Sequence, residues 1–121
     1  MTPEQQRKML ECAAKACGLR HVDYSGMDYD GSGGLVLVNE NGCHTRAWNP
    51  RAIALDTAEM CAKLNIDWLN KRDWVLCRTT TSHGYVVKTD AQKIENHDNS
   101  RLKAWMYAAT MVAAKIGGYT E

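Results

Sequence analysis

Two short segments of this 121-residue chain are apolar at consecutive positions: residues 35–38 (Leu-Val-Leu-Val) and residues 75–77 (Val-Leu-Cys). Side chains of a β-strand point alternately to the two faces of its sheet, so a strand with one solvated face alternates apolar and polar residues. An unbroken apolar run therefore predicts a sheet that is covered on both faces. Three helical patterns are available as covers, which predicts an α/β/α sandwich within the α+β class.

Two hairpins are predicted to supply four strands. The dipeptide Asn41-Gly42 lies between residues 35–38 and 43–48, and it is the strongest short-range signal for a hairpin with a type I′ turn. Residues 74–80 and 85–89 are rich in β-branched and aromatic side chains. The sequence Thr-Ser-His-Gly between them predicts the second turn, because its glycine permits the backbone to reverse.

Caps and periodicity predict the first and last helices. Thr2 and Gln5 have the spacing of a capping box, which predicts a helix over residues 3–17 that ends at Gly18. Its apolar face consists of small residues, so we expect it to pack closely on its neighbour. The last helix, of about 18 residues, is predicted from apolar side chains at i, i+3, i+4 and i+7 spacing. Asp98, Asn99 or Ser100 is predicted to cap its N-terminus. Gly117-Gly118 is predicted to end it.

The second helix has two candidate starts. Either Asn49 caps it with Pro50 in its first position, or Asp56 caps it with Glu59 completing a capping box, and the second is favoured. The helix is predicted to end near Asn65. The predicted order is then α-β-β-α-β-β-α around one four-stranded antiparallel sheet, in a single domain spanning residues 1–121.

Charge and composition exclude several classes of protein. The chain has 15 Lys and Arg against 14 Asp and Glu, and its apolar share is 45%. This balance argues against a disordered chain, and no run of about 18 uncharged apolar residues could span a membrane. A net charge of +1 disfavours nucleic acid as a partner, because a surface that tracks phosphates needs excess Lys and Arg.

The cysteines indicate a reducing compartment. Their number is odd, no pair has Cys-x-x-Cys spacing, and the N-terminal residues lack the apolar segment of a secretory signal. We therefore expect a cytoplasmic protein whose thiols are small buried hydrophobes and which needs no cofactor. The five cysteines are Cys12, Cys17, Cys43, Cys61 and Cys77.

A glycine-rich loop over residues 25–34 follows a short candidate strand at residues 20–24 and resembles the start of a calcium-binding loop. Asp28 and Asp30 occupy the first and third ligand positions, with glycine at the sixth. The twelfth position, normally a bidentate Glu, is Asn39. A surface loop with hydrated carboxylates is the simpler interpretation, and the same glycines lack the following helix that a phosphate cradle needs.

Zinc binding and nucleophilic catalysis are also disfavoured. The histidines and cysteines have no two-plus-two spacing, and the adjacent pair Cys43-His44 would point to opposite faces of a strand. No strained nucleophile turn of the Gly-x-Ser-x-Gly type is present. The four histidines are His21, His44, His83 and His97.

The segment of residues 68–74 is the strongest candidate for a binding surface. Trp68 and Trp74 flank Lys71 and Arg72, a composition typical of an interface hot spot or of a platform that stacks a base. The alternative is that both tryptophans pack inward while the charges are solvated.

A second candidate is a set of basic residues on the predicted strands. Arg46, Arg78 and Lys88 could line an anion pocket at one end of the sheet. Charges on strands also serve simply to block edge-to-edge aggregation.

One resemblance covers most of the chain. Trp48-Asn49-Pro50, followed by Asp56-Thr57-Ala58 and Lys63-Leu64, resembles a pattern in small tailed-phage proteins of the phage ABA sandwich group. Their short first helix ending in Gly-Leu and their alanine-rich last helix with an early Arg are matched by Gly18-Leu19 and by Arg101. The resemblance implies a helix-sheet-helix sandwich, and it implies no catalytic residues.

Three functions are consistent with the sequence. The leading hypothesis is a non-enzymatic phage or prophage accessory protein that binds and inhibits a host or defence protein through residues 68–74. The second is a module that sequesters a small ligand or nucleotide, with Arg46, Arg78 or Lys88 holding phosphates. The third is a metal-dependent enzyme that uses Asp28 and Asp30.

Overall fold

The structure, a computed structural model, describes residues 2–22, 34–80 and 86–120, with residues 86 and 87 described by their backbone alone. The helices are α1 (Pro3–Ala16), α2 (Ala54–Leu64) and α3 (Arg101–Ile116), with a 3₁₀ helix at Ile94–His97. The strands are β1 (Arg20–His21), β2 (Leu35–Val38), β3 (His44–Trp48), β4 (Ile66–Asn70), β5 (Trp74–Thr80) and β6 (Val86–Lys93). The predicted turn at residues 81–84 and the candidate ligands Asp28, Asp30 and His83 lie outside the described residues.

Within the described residues, the strands form two antiparallel sheets, ordered β1-β2-β3 and β4-β5-β6. The α+β class is confirmed, but the predicted single four-stranded sheet is wrong. Each predicted hairpin gains a third strand, since β1 pairs with β2 and β4 pairs with β5. β4 was missed because α2 passes into it through Asn65 alone, whose left-handed φ of 54° redirects the chain without a glycine or a loop.

The hairpin between β2 and β3 is confirmed, but its predicted type I′ turn is wrong. That turn needs positive φ at both central residues, and in this loop only Gly42 has it, at 78°. The side chain of Asn39 closes a longer loop instead, because its Oδ1 accepts from the N–H groups of Asn41 and Cys43 at 2.9 and 3.0 Å. The side chain of Asn39 therefore sets the loop, and Gly42 takes the fourth position of the turn, where its N–H donates to the carbonyl oxygen of Asn39 at 3.0 Å.

The predicted ends of α1 and α3 agree closely with the structure. Thr2 and Gln5 form the capping box, with distances of 3.1 and 2.8 Å, and Gly18 has a φ of 70° just beyond the helix. Among the candidate caps of α3, Ser100 accepts from the N–H of Lys103 at 3.2 Å.

Both predicted caps of α2 are wrong. The helix begins at Ala54 after Ile53, which supplies no side-chain cap. Asp56 lies inside the first turn and is 2% exposed, and its carboxylate accepts from Arg46 at 2.7 Å and from the N–H of Asn49 at 2.9 Å. The carboxylate thus joins β3 to α2. Asp56 does not cap the helix, because its hydrogen bonds to Arg46 and Asn49 are more favourable than a local bond at the helix N-terminus.

We expect Asp56→Ala to lower the free energy of unfolding by about 3 kcal/mol, because it leaves the buried N–H of Asn49 without its acceptor and removes the buried one of the two carboxylates that Arg46 binds. Glu59→Ala is the matched control, since Glu59 bonds the same Arg46 at 3.2 Å but is 56% exposed. Glu59→Ala should lower the free energy of unfolding by less than about 1 kcal/mol. Urea unfolding of both variants measures the difference, and equal losses would contradict the assignment.

The two unbroken apolar runs behave differently. In β2, Leu35, Val36 and Leu37 are all buried, as predicted for a strand covered on both sides. β5 instead alternates, with its buried residues facing α3 and with Trp74, Leu76 and Arg78 on the opposite face. We call this opposite face the outer face. It is partly exposed in the part of the chain that the structure describes. The prediction of two covered faces is therefore wrong for the second sheet.

Candidate functional site

The turn that joins β4 to β5 is fixed by a single guanidinium. The N–H of Lys71 donates to the carbonyl oxygen of Trp74 at 3.0 Å. Arg101, in the first turn of α3, donates to the carbonyl oxygens of Lys71 and Arg72 at 2.6 and 3.0 Å and to the side-chain oxygen of Asn70. Three acceptors in one short turn converge on this side chain, so the turn is held rigidly against the helix.

Trp74 projects from this turn onto the outer face and is 46% exposed. Two concavities flank it, with volumes of about 500 and 450 Å³. Trp74, Arg72 and Asp73 line both. The larger one adds Lys71, Leu76 and Ala91, and the smaller one adds Lys93, Glu95 and Arg101, among others. We call the surface formed by these nine residues the Trp74 surface.

The Trp74 surface is positively charged. Among the described residues, Lys71, Arg72 and Lys93 form no ion pair, and Arg101 donates only to neutral oxygens. Asp73 and Glu95 are its carboxylates. Four cations therefore face two anions in a chain whose total net charge is only +1. The Trp74 surface therefore carries a local excess of two positive charges.

Trp68 lies apart from the other residues predicted for partner binding. It pairs with Cys77, which faces α3, and its ring centroid lies 6.1 Å from that of Trp105. The structure therefore brings together Lys71, Arg72 and Trp74 and places Trp68 on the opposite side of the same hairpin. The alternative prediction was that both tryptophans pack inward. Trp68 does so in part, since it contacts α3 but remains 47% exposed. Trp74 does not, because it lies on the outer face.

The second predicted set, Arg46, Arg78 and Lys88, is not brought together. Arg46 lies on the first sheet and binds Asp56 and Glu59. Arg78 lies on the outer face of the second sheet, where it binds Asp67 at 3.1 Å. Lys88 pairs with Thr79 and so points to the opposite face from Arg78. The two arginines already have carboxylate partners, and the three side chains do not converge on one ligand.

Sequence reasoning missed five residues of the Trp74 surface: Leu76, Ala91, Lys93, Glu95 and Arg101. Lys93 pairs with Trp74 across the ladder, and Ala91 pairs with Leu76. These neighbours follow from the register between β5 and β6, which no local pattern encodes. Arg101 stood out only as the early Arg of the last helix.

A second polar cluster lies beside α3. The guanidinium of Arg51 is 4.8 Å from the ring centroid of Tyr107, and His97 is 5.1 Å from the same ring. The Nε2 of His97 is 2.9 Å from the side-chain oxygen of Gln92, whose amide donates to Asp90 at 2.8 Å. Burial, followed by the charge of Arg51, lowers the pKa of His97, while Asp98 and Asp90 oppose that shift.

The lowered pKa of His97 predicts a pH-dependent stability. The unfolded chain binds a proton at His97 near its ordinary pKa of 6.5, whereas the folded chain does so only at lower pH. The His97 contribution is therefore present above that value and is lost as the pH falls below it. We expect the stability of His97→Gln, measured by urea unfolding between about pH 7.5 and 5.5, to fall less steeply than that of the wild type. Parallel curves would contradict this.

The prediction that the thiols are buried holds for Cys17 and Cys77, and it is wrong for Cys43, which is exposed. Cys12 and Cys61 are half-buried. Burial raises the pKa of Cys61 to about 11 and that of Cys77 to about 12, so both remain thiols at neutral pH. Within the described ranges, no three His, Cys, Asp or Glu side chains form a group that could hold a metal ion. None of the helices described has the length and apolar character to cross a bilayer.

Comparison with known proteins finds no family model, no curated protein and no solved structure that matches this chain. The Trp74 surface is therefore the feature of this chain from which a function can be inferred.

Proposed function

We propose that this chain is a non-enzymatic binding protein that docks on another protein through the Trp74 surface. We further propose that it is a phage or prophage accessory protein that inhibits a host or defence protein. The observation that carries the proposal is a half-exposed Trp74 between two concavities, beside basic side chains that form no ion pair among the described residues.

The energetics support binding by these residues. Trp and Arg dominate interface hot spots because each buries a large area and makes directed contacts. Covering the exposed part of Trp74 removes about 100 Å² from water, which contributes roughly 2.5 kcal/mol. The bonds from Arg101 hold the turn before a partner arrives, which reduces the entropy lost on binding.

The phage part of the proposal is supported by the residues around Trp48-Asn49-Pro50 that resemble tailed-phage proteins. An inhibitor of this kind needs only to occupy a functional surface of its target. A small, rigid and positively charged patch suits that task, because electrostatic attraction speeds the encounter with an acidic target.

Affinity capture from bacterial lysate tests the proposal with charge-matched variants. The wild type and Lys8→Glu, which reverses an exposed charge on α1, should capture the same partner. Arg72→Glu changes the net charge by the same amount but reverses it on the Trp74 surface, and it should lose that partner. Equal capture by all three proteins would overturn the assignment of the surface.

A further inference from the structure

The outer face of the second sheet carries an apolar row beside a basic row. Leu69, Leu76 and Ala91 are directly opposite one another across β4, β5 and β6. In the next row, Lys71 and Lys93 lie on either side of Trp74. The concavity of about 500 Å³ lies where these rows meet, and its apolar lining consists of Trp74, Leu76 and Ala91.

The shape and chemistry of this concavity suit one large apolar side chain. Its volume exceeds that of any single side chain, and aliphatic and aromatic groups line it beneath a basic rim. A side chain that enters it brings its neighbours in the partner close to Lys71, Arg72 and Lys93. Carboxylates at those neighbouring positions would pair with cations that form no ion pair among the described residues.

Asp73 and Glu95 favour a peptide over a nucleic acid. Asp73 lines both concavities together with Arg72, and Glu95 lines the smaller one beside Lys93. The phosphates of a nucleic acid are evenly spaced along its backbone, so a strand crossing this surface would bring some of them against these carboxylates. A peptide can place its acidic residues opposite the lysines and the arginine alone.

Resting on the proposed function, we propose that the partner contributes an acidic segment with one large apolar side chain. That side chain enters the concavity between Trp74, Leu76 and Ala91, and its flanking carboxylates pair with Lys71, Arg72 and Lys93.

Fluorescence anisotropy tests this with a short labelled peptide in which one leucine is flanked by glutamates. We expect binding at low ionic strength that weakens about tenfold or more by about 0.5 M salt, because the charges are solvent-exposed. Replacing the leucine by serine in the peptide, or Trp74→Ala in the protein, should each weaken binding to a similar extent. Trp68→Ala should bind like the wild type.

Three results would overturn the inference. Oligothymidylate binding tighter than the peptide would identify a nucleic-acid surface, and equal binding of the serine peptide would show that the concavity is not used. No binding of either peptide would refute the acidic segment, yet the proposed function would stand if capture still depended on Arg72. Capture that is insensitive to Arg72→Glu would refute the proposed function itself.

Discussion

Trp74→Ala is expected to weaken binding to the captured partner about 30-fold, whereas Trp68→Ala leaves it unchanged. The two tryptophans belong to one hairpin and are 46% and 47% exposed, so exposure alone does not distinguish them. They differ in the face of the sheet that they occupy. Trp74 lies between two concavities, and Trp68 contacts Trp105 on α3.

The free energy of unfolding should rank the two variants in the opposite order, with the larger loss in Trp68→Ala. Trp68→Ala removes the contact with Trp105 and should lower the free energy of unfolding by about 2 kcal/mol, less than the loss for a fully buried tryptophan. Trp74→Ala should change it by less than about 1 kcal/mol. Calorimetric titration and urea unfolding of both variants give the complete comparison. A larger loss of binding in Trp68→Ala would contradict the placement of the site.

Gly117→Ala is expected to destabilise the fold by about 3 kcal/mol, through a clash. Gly117 has a φ of −81°, which any residue adopts, so its backbone conformation does not require glycine. A Cβ at this position would lie 1.9 Å from the carbonyl oxygen of Cys12 and 2.7 Å from its carbonyl carbon. Because these atoms are backbone, they cannot rotate away, and α1 and α3 would have to separate.

Gly18→Ala is the matched control for that variant. Gly18 has a φ of 70° with open space around its Cβ position, so alanine there meets conformational strain and no neighbour. The expected loss is about 1 kcal/mol. Urea unfolding should rank Gly117→Ala well below Gly18→Ala, and the reverse order would show that α1 and α3 do not approach closely at Cys12.

The elements that the sequence predicted well are those with local signals. The capping box of Thr2 and Gln5 and the residues of β5 are read from a few neighbouring positions. The sheet arrangement depends on β4, which begins one residue after α2. Its sequence Ile-Asp-Trp-Leu-Asn has no clear period. Non-local pairing with β5 makes these residues a strand, so local patterns could not reveal the second three-stranded sheet.

The candidate site was predicted in part for the same reason. The adjacency of Lys71, Arg72 and Trp74 is visible in the sequence, but the face that each side chain occupies depends on the register of the hairpin. Trp68 and Trp74 are six positions apart, which would place them on one face of a continuous strand. The turn pairs Lys71 with Trp74, so these two side chains lie on the same face of the sheet. Lys71 is three residues after Trp68, and an odd separation along a strand places two side chains on opposite faces. Trp74 and Trp68 therefore lie on opposite faces.

The indole N–H resonances offer the most direct test of docking on the Trp74 surface. The chain has four tryptophans, so nitrogen-15 spectra should show four indole signals, each assigned from a single Trp→Phe variant. On addition of the captured partner, the signal of Trp74 should shift most, while those of the buried Trp48 and of Trp68 should hardly move. A shift of the Trp68 signal with that of Trp74 unchanged would contradict the account.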